Sequence, residues 1–153
     1  MSQFQAAAGP RISAETLHAS AVASDGRAVL ITGPSGSGKS DLALRLIDRG
    51  FAFVSDDRTV VKRDGERLLA MPAPNIAGKL EIRGIGIVDV ESVSDVPVTL
   101  MVELRSDIER IPDDSRERLI LGVPVPLISI DAMTASAAAK VVFALDRMGR
   151  KLQ

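Results

Sequence analysis

The sequence predicts an α/β protein built on a mixed, largely antiparallel sheet, with few helices and one phosphate-binding loop (P-loop). Three observations carry that prediction. Gly33-Pro34-Ser35-Gly36-Ser37-Gly38-Lys39-Ser40 fits the pattern G-x-x-x-x-G-K-[ST] without a mismatch. It stands between a short apolar, β-branched run, Arg27 to Thr32, and an amphipathic stretch, Asp41 to Arg49. Six or more β-like segments surround only two clear helices, which is not the alternating βαβα rhythm of the usual nucleotide kinases.

Taken in order, residues 1–13 read as a flexible N-terminal tail, with Ala6-Ala7-Ala8-Gly9-Pro10 offering no periodicity. That stretch has neither the charged n-region nor the apolar h-region of a signal peptide. Residues 14–153 then read as a single domain of ordinary size. From Glu15 to Ser24 the pattern alternates, with Leu17, Ala19 and Ala21 on one face and Thr16, His18 and Ser20 on the other. Asp25-Gly26 makes a two-residue hairpin into the run that feeds the loop. His18 is thereby placed on a strand beside the loop-bearing strand, either facing a nucleotide or as a half-exposed polar residue.

The loop has its own chemistry. Glycines let the backbone curl so that N–H groups point at phosphate oxygens, Lys39 reaches the β- and γ-phosphates, and the Ser40 hydroxyl can ligate Mg²⁺. Leu42/Leu46 and Ala43/Ile47 give the following helix its apolar stripe, and Gly50 stops it. A helix N-terminus adds its own attraction for anions. The expected ligand is a nucleoside triphosphate.

Phe51 to Asp57 is a short apolar strand ending in two carboxylates, Asp56 and Asp57. Ligands of α/β proteins sit at such carboxyl ends. A carboxylate there can hold Mg²⁺ or take a proton from an attacking hydroxyl, and on an extended chain only one of the two faces the phosphates. Asp64-Gly65 predicts another hairpin, and Pro72-Ala73-Pro74 breaks the chain. In Leu80 to Asp89, Glu81 and Arg83 share one strand face, which on spacing alone reads as a salt-bridging edge strand interrupted by two glycines. Val98 to Leu104 reads as a buried strand, and Arg105 to Arg118 as a charged, irregular segment. Leu119 to Gly122 and Val125 to Ile130 read as the last strands. Thr134 is positioned to cap a final helix in which Ala138, Val141, Val142, Leu145 and Met148 pack inward.

Composition narrows the function further. The chain has 46% hydrophobic and 25% charged residues and a net charge of −1, which argues against a general nucleic-acid binder. No Cys means no disulfide framework, thiol nucleophile or Cys zinc site, consistent with a cytoplasmic protein. A single His excludes a multi-histidine metal site, so a metal here is a hard cation on oxygen ligands. No stretch approaches the roughly 20 apolar residues of a membrane helix.

The loop GPSGSGKS, the phrase LIDRGFAFVSDD and the block LEIRGIGIVDV together resemble the HPr kinase/phosphorylase family. These are bacterial enzymes that phosphorylate a serine of HPr, the phosphocarrier of the sugar phosphotransferase system. The resemblance runs from about His18 to the final helix and implies the short form, a catalytic domain with a fold like that of phosphoenolpyruvate carboxykinase. It implies ATP on Gly33 to Ser40, with Lys39 on the phosphates and Ser40, Asp56 and Glu81 at Mg²⁺. It implies Asp57 as general base and His18 as an active-site histidine. Arg110, in Glu109-Arg110-Ile111-Pro112, matches an arginine near the transferred phosphate. An HPr-type protein is the implied substrate, and a homo-oligomer, hexameric in the family, the implied assembly.

The sequence departs from the family at Asp41 and Phe51-Ala52. Val123-Pro124-Val125-Pro126-Leu127 also stands, uncharged, where an arginine-rich loop is associated with dephosphorylation. A reverse reaction needs cations for a second dianion, so kinase activity is the expected direction. Two alternatives are a nucleotide-sensing regulatory module with little catalysis and a small-molecule kinase on the same scaffold.

Overall fold

The computed structural model describes residues 13–111 and 116–152. Residues 1–12 of the expected tail, Pro112 of the Glu109–Pro112 phrase, and Gln153 lie outside the described residues. In chain order the elements are β1 (Ala14–Leu17), β2 (Ala19–Ser24), β3 (Arg27–Thr32), α1 (Lys39–Asp48), β4 (Ala52–Ser55), β5 (Thr59–Asp64) and β6 (Arg67–Pro72). There follow β7 (Lys79–Ile82), β8 (Gly86–Asp89), β9 (Val96–Leu104), β10 (Glu117–Ile120), β11 (Val123–Ile130) and α2 (Ala137–Met148).

Nine of these strands form one sheet in the order β1-β5-β6-β9-β3-β2-β4, with β11 also on β9 and β10 on β11. β9 runs parallel to β3 and to β11, while every other pairing is antiparallel, so the mixed, largely antiparallel sheet expected from the sequence is present. The parallel trio has a consequence for function. The carboxyl ends of β3, β9 and β11 share one edge of the sheet, and the loops leaving them gather there.

Both faces of the sheet are covered. Val29 and Ile31 of β3, with Leu100, Val102 and Leu104 of β9, pack against Leu42 and Leu46 of α1 and Val141 and Leu145 of α2. Ala28, Leu30, Val98 and Met101 face the other way, into a cluster with Val61, Leu68, Ile120 and Val125. Central strands buried on both faces read as continuous apolar runs, as β3 does.

The structure differs from the sequence reading in several places. The predicted alternating strand Glu15–Ser24 is two strands broken at His18. β1 pairs with β5 and β2 with β3 and β4, so Ala19 to Ala23 are buried on both faces. The second hairpin turns on Gly65-Glu66, with Asp64 still paired to Arg67. Leu121-Gly122 is a turn between β10 and β11, both residues at positive φ, so Gly122 belongs to no strand.

The block Leu80–Asp89 is a separate hairpin, β7–β8, and Arg83 lies in its turn. Glu81 and Arg83 therefore share no strand face; the ion pair across this hairpin is Lys79 with Asp89. α2 starts at Ala137, later than a Thr134 cap would place it, because Thr134 is held in the preceding turn by Asp131. Among the described residues no helix is long and apolar enough to cross a membrane.

Candidate active site

The loop leaves β3 and curls before α1. A Cβ on Gly33 would stand 2.6 Å from Ser37 Oγ and 3.1 Å from Leu104 Cβ, so any side chain there collides with the loop itself and with the end of β9. Gly38 has φ 101, a conformation L side chains rarely adopt, and sets the start of α1. Lys39 is almost fully buried, and its Nζ donates to the carbonyls of Gly33 and Pro34 at 2.9 and 3.2 Å. The ammonium thus sits inside the curl, on acceptors that a bound anion can replace. Ser37 Oγ is buried with no partner. A buried hydroxyl without a partner inside such a curl is an available donor for an anion.

The two carboxylates after β4 meet the loop. Ser40 Oγ donates to Asp56 Oδ1 at 2.6 Å, and Ser20 Oγ donates to the same oxygen at 3.1 Å. Asp56 Oδ2 accepts from the backbone N–H of Glu81 at 3.1 Å. Asp56 is 7% exposed, so these donors replace the water its charge has lost. Asp57 has φ 65, and its N–H donates to Ser20 Oγ at 3.0 Å. That left-handed residue corrects the picture of two carboxylates on opposite faces of an extended chain. The chain turns at Asp57, and the Ser20 hydroxyl links both aspartates. Asp57 remains exposed, its Oδ1 3.0 Å from His18 Nε2.

His18 stands at the bend where β1 passes into β2. Thr59 Oγ1 fastens the start of β2 by donating to the Ala19 carbonyl at 2.7 Å. Ser40, Asp56, Asp57 and His18 are therefore brought together. Glu81 joins through its backbone, while its side chain is exposed on β7. Among the described residues no three His, Asp or Glu side chains gather closely enough to make a metal cage. The donors that do meet, one hydroxyl and one carboxylate beside a phosphate-type loop, match the sparse protein coordination of Mg²⁺, which keeps waters and substrate oxygens.

Arg110 lies on the segment leaving the carboxyl end of β9, at the same sheet edge as the loop. It lines a cavity of about 840 Å³ with Arg105, Arg116, Ile130, Thr134 and Lys140. Hydrogen bonds from Arg105, with a backbone bond and the nearby positive charge, hold the Asp107 carboxyl below its usual range. Glu103 is ringed by Arg105, Arg116 and Arg118 at 3.5–3.6 Å.

Two contributors carry little sequence signal. Ser20 is fully buried and holds both aspartates, yet in the sequence it is one polar residue in an alanine-rich strand. Arg45 spaces like an exposed helix residue, but its guanidinium donates to the Ala132 and Thr134 carbonyls at 2.6 and 3.3 Å, tying α1 to the turn after β11.

Comparison with known proteins gives the family and the overall fold. The family described as HPr Serine kinase C-terminal domain matches residues 12–150. An HPr kinase/phosphorylase of Latilactobacillus sakei subsp. sakei (strain 23K) is 38% identical, the match covering 76% of this chain and 42% of that protein. One from Chlorobium limicola is also 38% identical, covering 82% of this chain and 42% of its own length. The chain thus spans about two fifths of the length of these relatives. The solved Hpr(Ser) kinase/phosphatase of Coxiella burnetii is 33% identical with a TM-score of 0.74, covering 87% of this chain and 95% of that one.

Proposed function

This chain belongs to the HPr serine kinase C-terminal domain family, and from that premise we propose that it is an ATP- and Mg²⁺-dependent protein kinase acting on a serine of an HPr-type phosphocarrier. The observation that carries the reading is the pair of adjacent aspartates with divided tasks: Asp56 buried on Ser40, and Asp57 exposed beside His18.

In this reading the backbone N–H groups of Gly33 to Ser40 cradle the triphosphate, and Lys39 Nζ exchanges the Gly33 and Pro34 carbonyls for phosphate oxygens. Ser40 Oγ and Asp56 hold Mg²⁺, with Glu81 as a further oxygen ligand. Held there, the ion would supply positive charge against that building on the transferred group. Asp57 accepts the proton of the acceptor serine as its oxygen bonds to the γ-phosphorus, the bond to the β-bridging oxygen breaks, and ADP leaves with that electron pair. His18 orients the Asp57 carboxylate. Arg110 supplies positive charge near the transferred phosphate.

The fold, in this reading, is of the phosphoenolpyruvate carboxykinase type, and the working form is a cytoplasmic homo-oligomer, hexameric by the resemblance. Dephosphorylation is the weaker activity, because Val123 to Leu127, the stretch that would carry the basic loop, forms an uncharged part of β11.

The experiment is transfer of label from γ-labelled ATP with Mg²⁺ to purified HPr, run beside Asp57→Asn. The reading expects label on an HPr serine that disappears in the variant. Binding of ATP without transfer would sink the HPr assignment and leave the sensor or another acceptor.

A further inference from the structure

Met133 is 74% exposed and belongs to neither apolar cluster, yet the turn that carries it is held from several directions. Its N–H donates to Asp131 Oδ1 at 2.9 Å, and Thr134 Oγ1 donates to the Asp131 carbonyl at 2.9 Å. The carbonyls on either side, those of Ala132 and Thr134, accept from Arg45. A large apolar side chain is thus presented to water on a fixed turn. One exposed apolar side chain is ordinary on a protein surface, so it is the place of Met133, on a fixed turn, that gives it a reading.

Its position says which contact. A Cβ on Gly38 would come within 3.1 Å of Ala132 Cβ and 3.7 Å of Met133 Cε, so the turn abuts the phosphate loop. Asp131 and Thr134, flanking it, line the 840 Å³ cavity together with Ile108, Ile130 and Lys140. That volume is in the range of small-molecule sites. A triphosphate on the loop must send its sugar and base somewhere along this edge of the sheet. The chain has no Trp or Tyr to stack on a base, Phe51 and Phe53 are buried in the core, and the exposed Phe143 sits on α2 and not on the turn beside the loop. A thioether is flexible, polarizable and packs well on aromatic rings.

We propose that the turn between β11 and α2 is the nucleobase wall of this site, with the Met133 side chain packed on the face of a purine and Arg45 holding the turn in place. The inference rests on the reading that the Gly33–Ser40 loop holds the triphosphate. It adds the residue that recognises the nucleoside.

The test is calorimetric binding of Mg-ATP and of Mg-tripolyphosphate, which lacks sugar and base, to the full chain and to Met133→Ala and Met133→Leu. The alanine variant is expected to bind ATP roughly tenfold more weakly, the size of one lost apolar contact, with tripolyphosphate affinity unchanged within about twofold. Met133→Leu is expected to restore most of the ATP affinity. Equal losses for both ligands would overturn the proposal in favour of a role in shaping the loop, and unchanged ATP binding would overturn it outright. Failure of the unaltered protein to bind either ligand would instead overturn the triphosphate reading itself, and this inference with it.

Discussion

Ser40 and Asp56, sixteen residues apart in the chain, meet through a 2.6 Å hydrogen bond in which the hydroxyl at the end of the Gly33–Ser40 loop donates to a buried carboxylate oxygen. The contact joins the start of α1 to the end of β4. It sets a hydroxyl and a carboxylate side by side at the mouth of the loop, the arrangement expected to hold a hard cation.

Removing that charge is expected to act on stability and metal use together. Asp56 accepts from Ser20, Ser40 and the Glu81 N–H, so Asp56→Asn cannot satisfy all three donors. A cost of about 1–3 kcal/mol follows from the weakened charge-assisted bonds and the donors left short of an acceptor. Urea unfolding measures it. The Mg²⁺ concentration for half-maximal turnover is expected to rise in parallel, and a variant with unchanged stability and metal dependence would remove Asp56 from the site.

Asp57 separates chemistry from backbone geometry. With φ 65 it occupies a region that Asn tolerates and Ala does not. Asp57→Asn is therefore expected to keep its unfolding midpoint, while Asp57→Ala loses roughly 1 kcal/mol. Both should lose phosphoryl transfer and both should retain ATP affinity within about twofold, measured by calorimetry. Turnover in Asp57→Asn near that of the parent would end the general-base assignment.

The loop makes a steric prediction. A Cβ on Gly33 meets Ser37 Oγ at 2.6 Å and Leu104 Cβ at 3.1 Å, and the latter belongs to the packed end of β9. Gly33→Ala is expected to cost about 1–3 kcal/mol through overpacking, and to lose phosphate binding because the curl must open. Gly65→Ala, in the β5–β6 hairpin with no atom within 4 Å of the added carbon, strains only its own turn. It should leave ATP binding untouched. Equal effects of the two changes on ATP affinity would contradict the close approach.

These outcomes bear on what the sequence could disclose. β3, the loop and α1 were legible because local pattern dictates them: a β-branched run, a glycine-rich turn, and apolar residues at helical spacing. The largely antiparallel sheet was legible from strand count and hairpin signals. The break at His18 was not, since β1 and β2 differ in which neighbour they pair with, and pairing is non-local. The β7–β8 hairpin was hidden because Arg83-Gly84-Ile85 lacks the usual turn pair and Ile85 and Ile87 face water, 74% and 72% exposed, while Leu80 is buried. Ser20 and Arg45 were opaque for a related reason. Their roles lie in hydrogen bonds to residues 36 to 89 positions away, which no local periodicity encodes.

Glu81 poses the sharpest question about the metal. Its N–H is bound to Asp56 Oδ2 at 3.1 Å, so its Cα is fixed beside the Ser40–Asp56 pair, while its side chain is exposed on β7. A carboxylate that completes the coordination of Mg²⁺ and one that merely decorates a hairpin respond differently to loss of charge. Glu81→Gln keeps the backbone bond and the side-chain volume. As a metal ligand it should raise the Mg²⁺ concentration for half-maximal turnover by about tenfold, the order seen when one ligand or its support is weakened, with unfolding free energy within about 0.5 kcal/mol of the parent. Lys79→Ala, which breaks the hairpin's ion pair with Asp89, controls for disturbance of the hairpin itself. A metal requirement that shifts equally in both variants would mean that the hairpin's position matters and the Glu81 carboxylate does not.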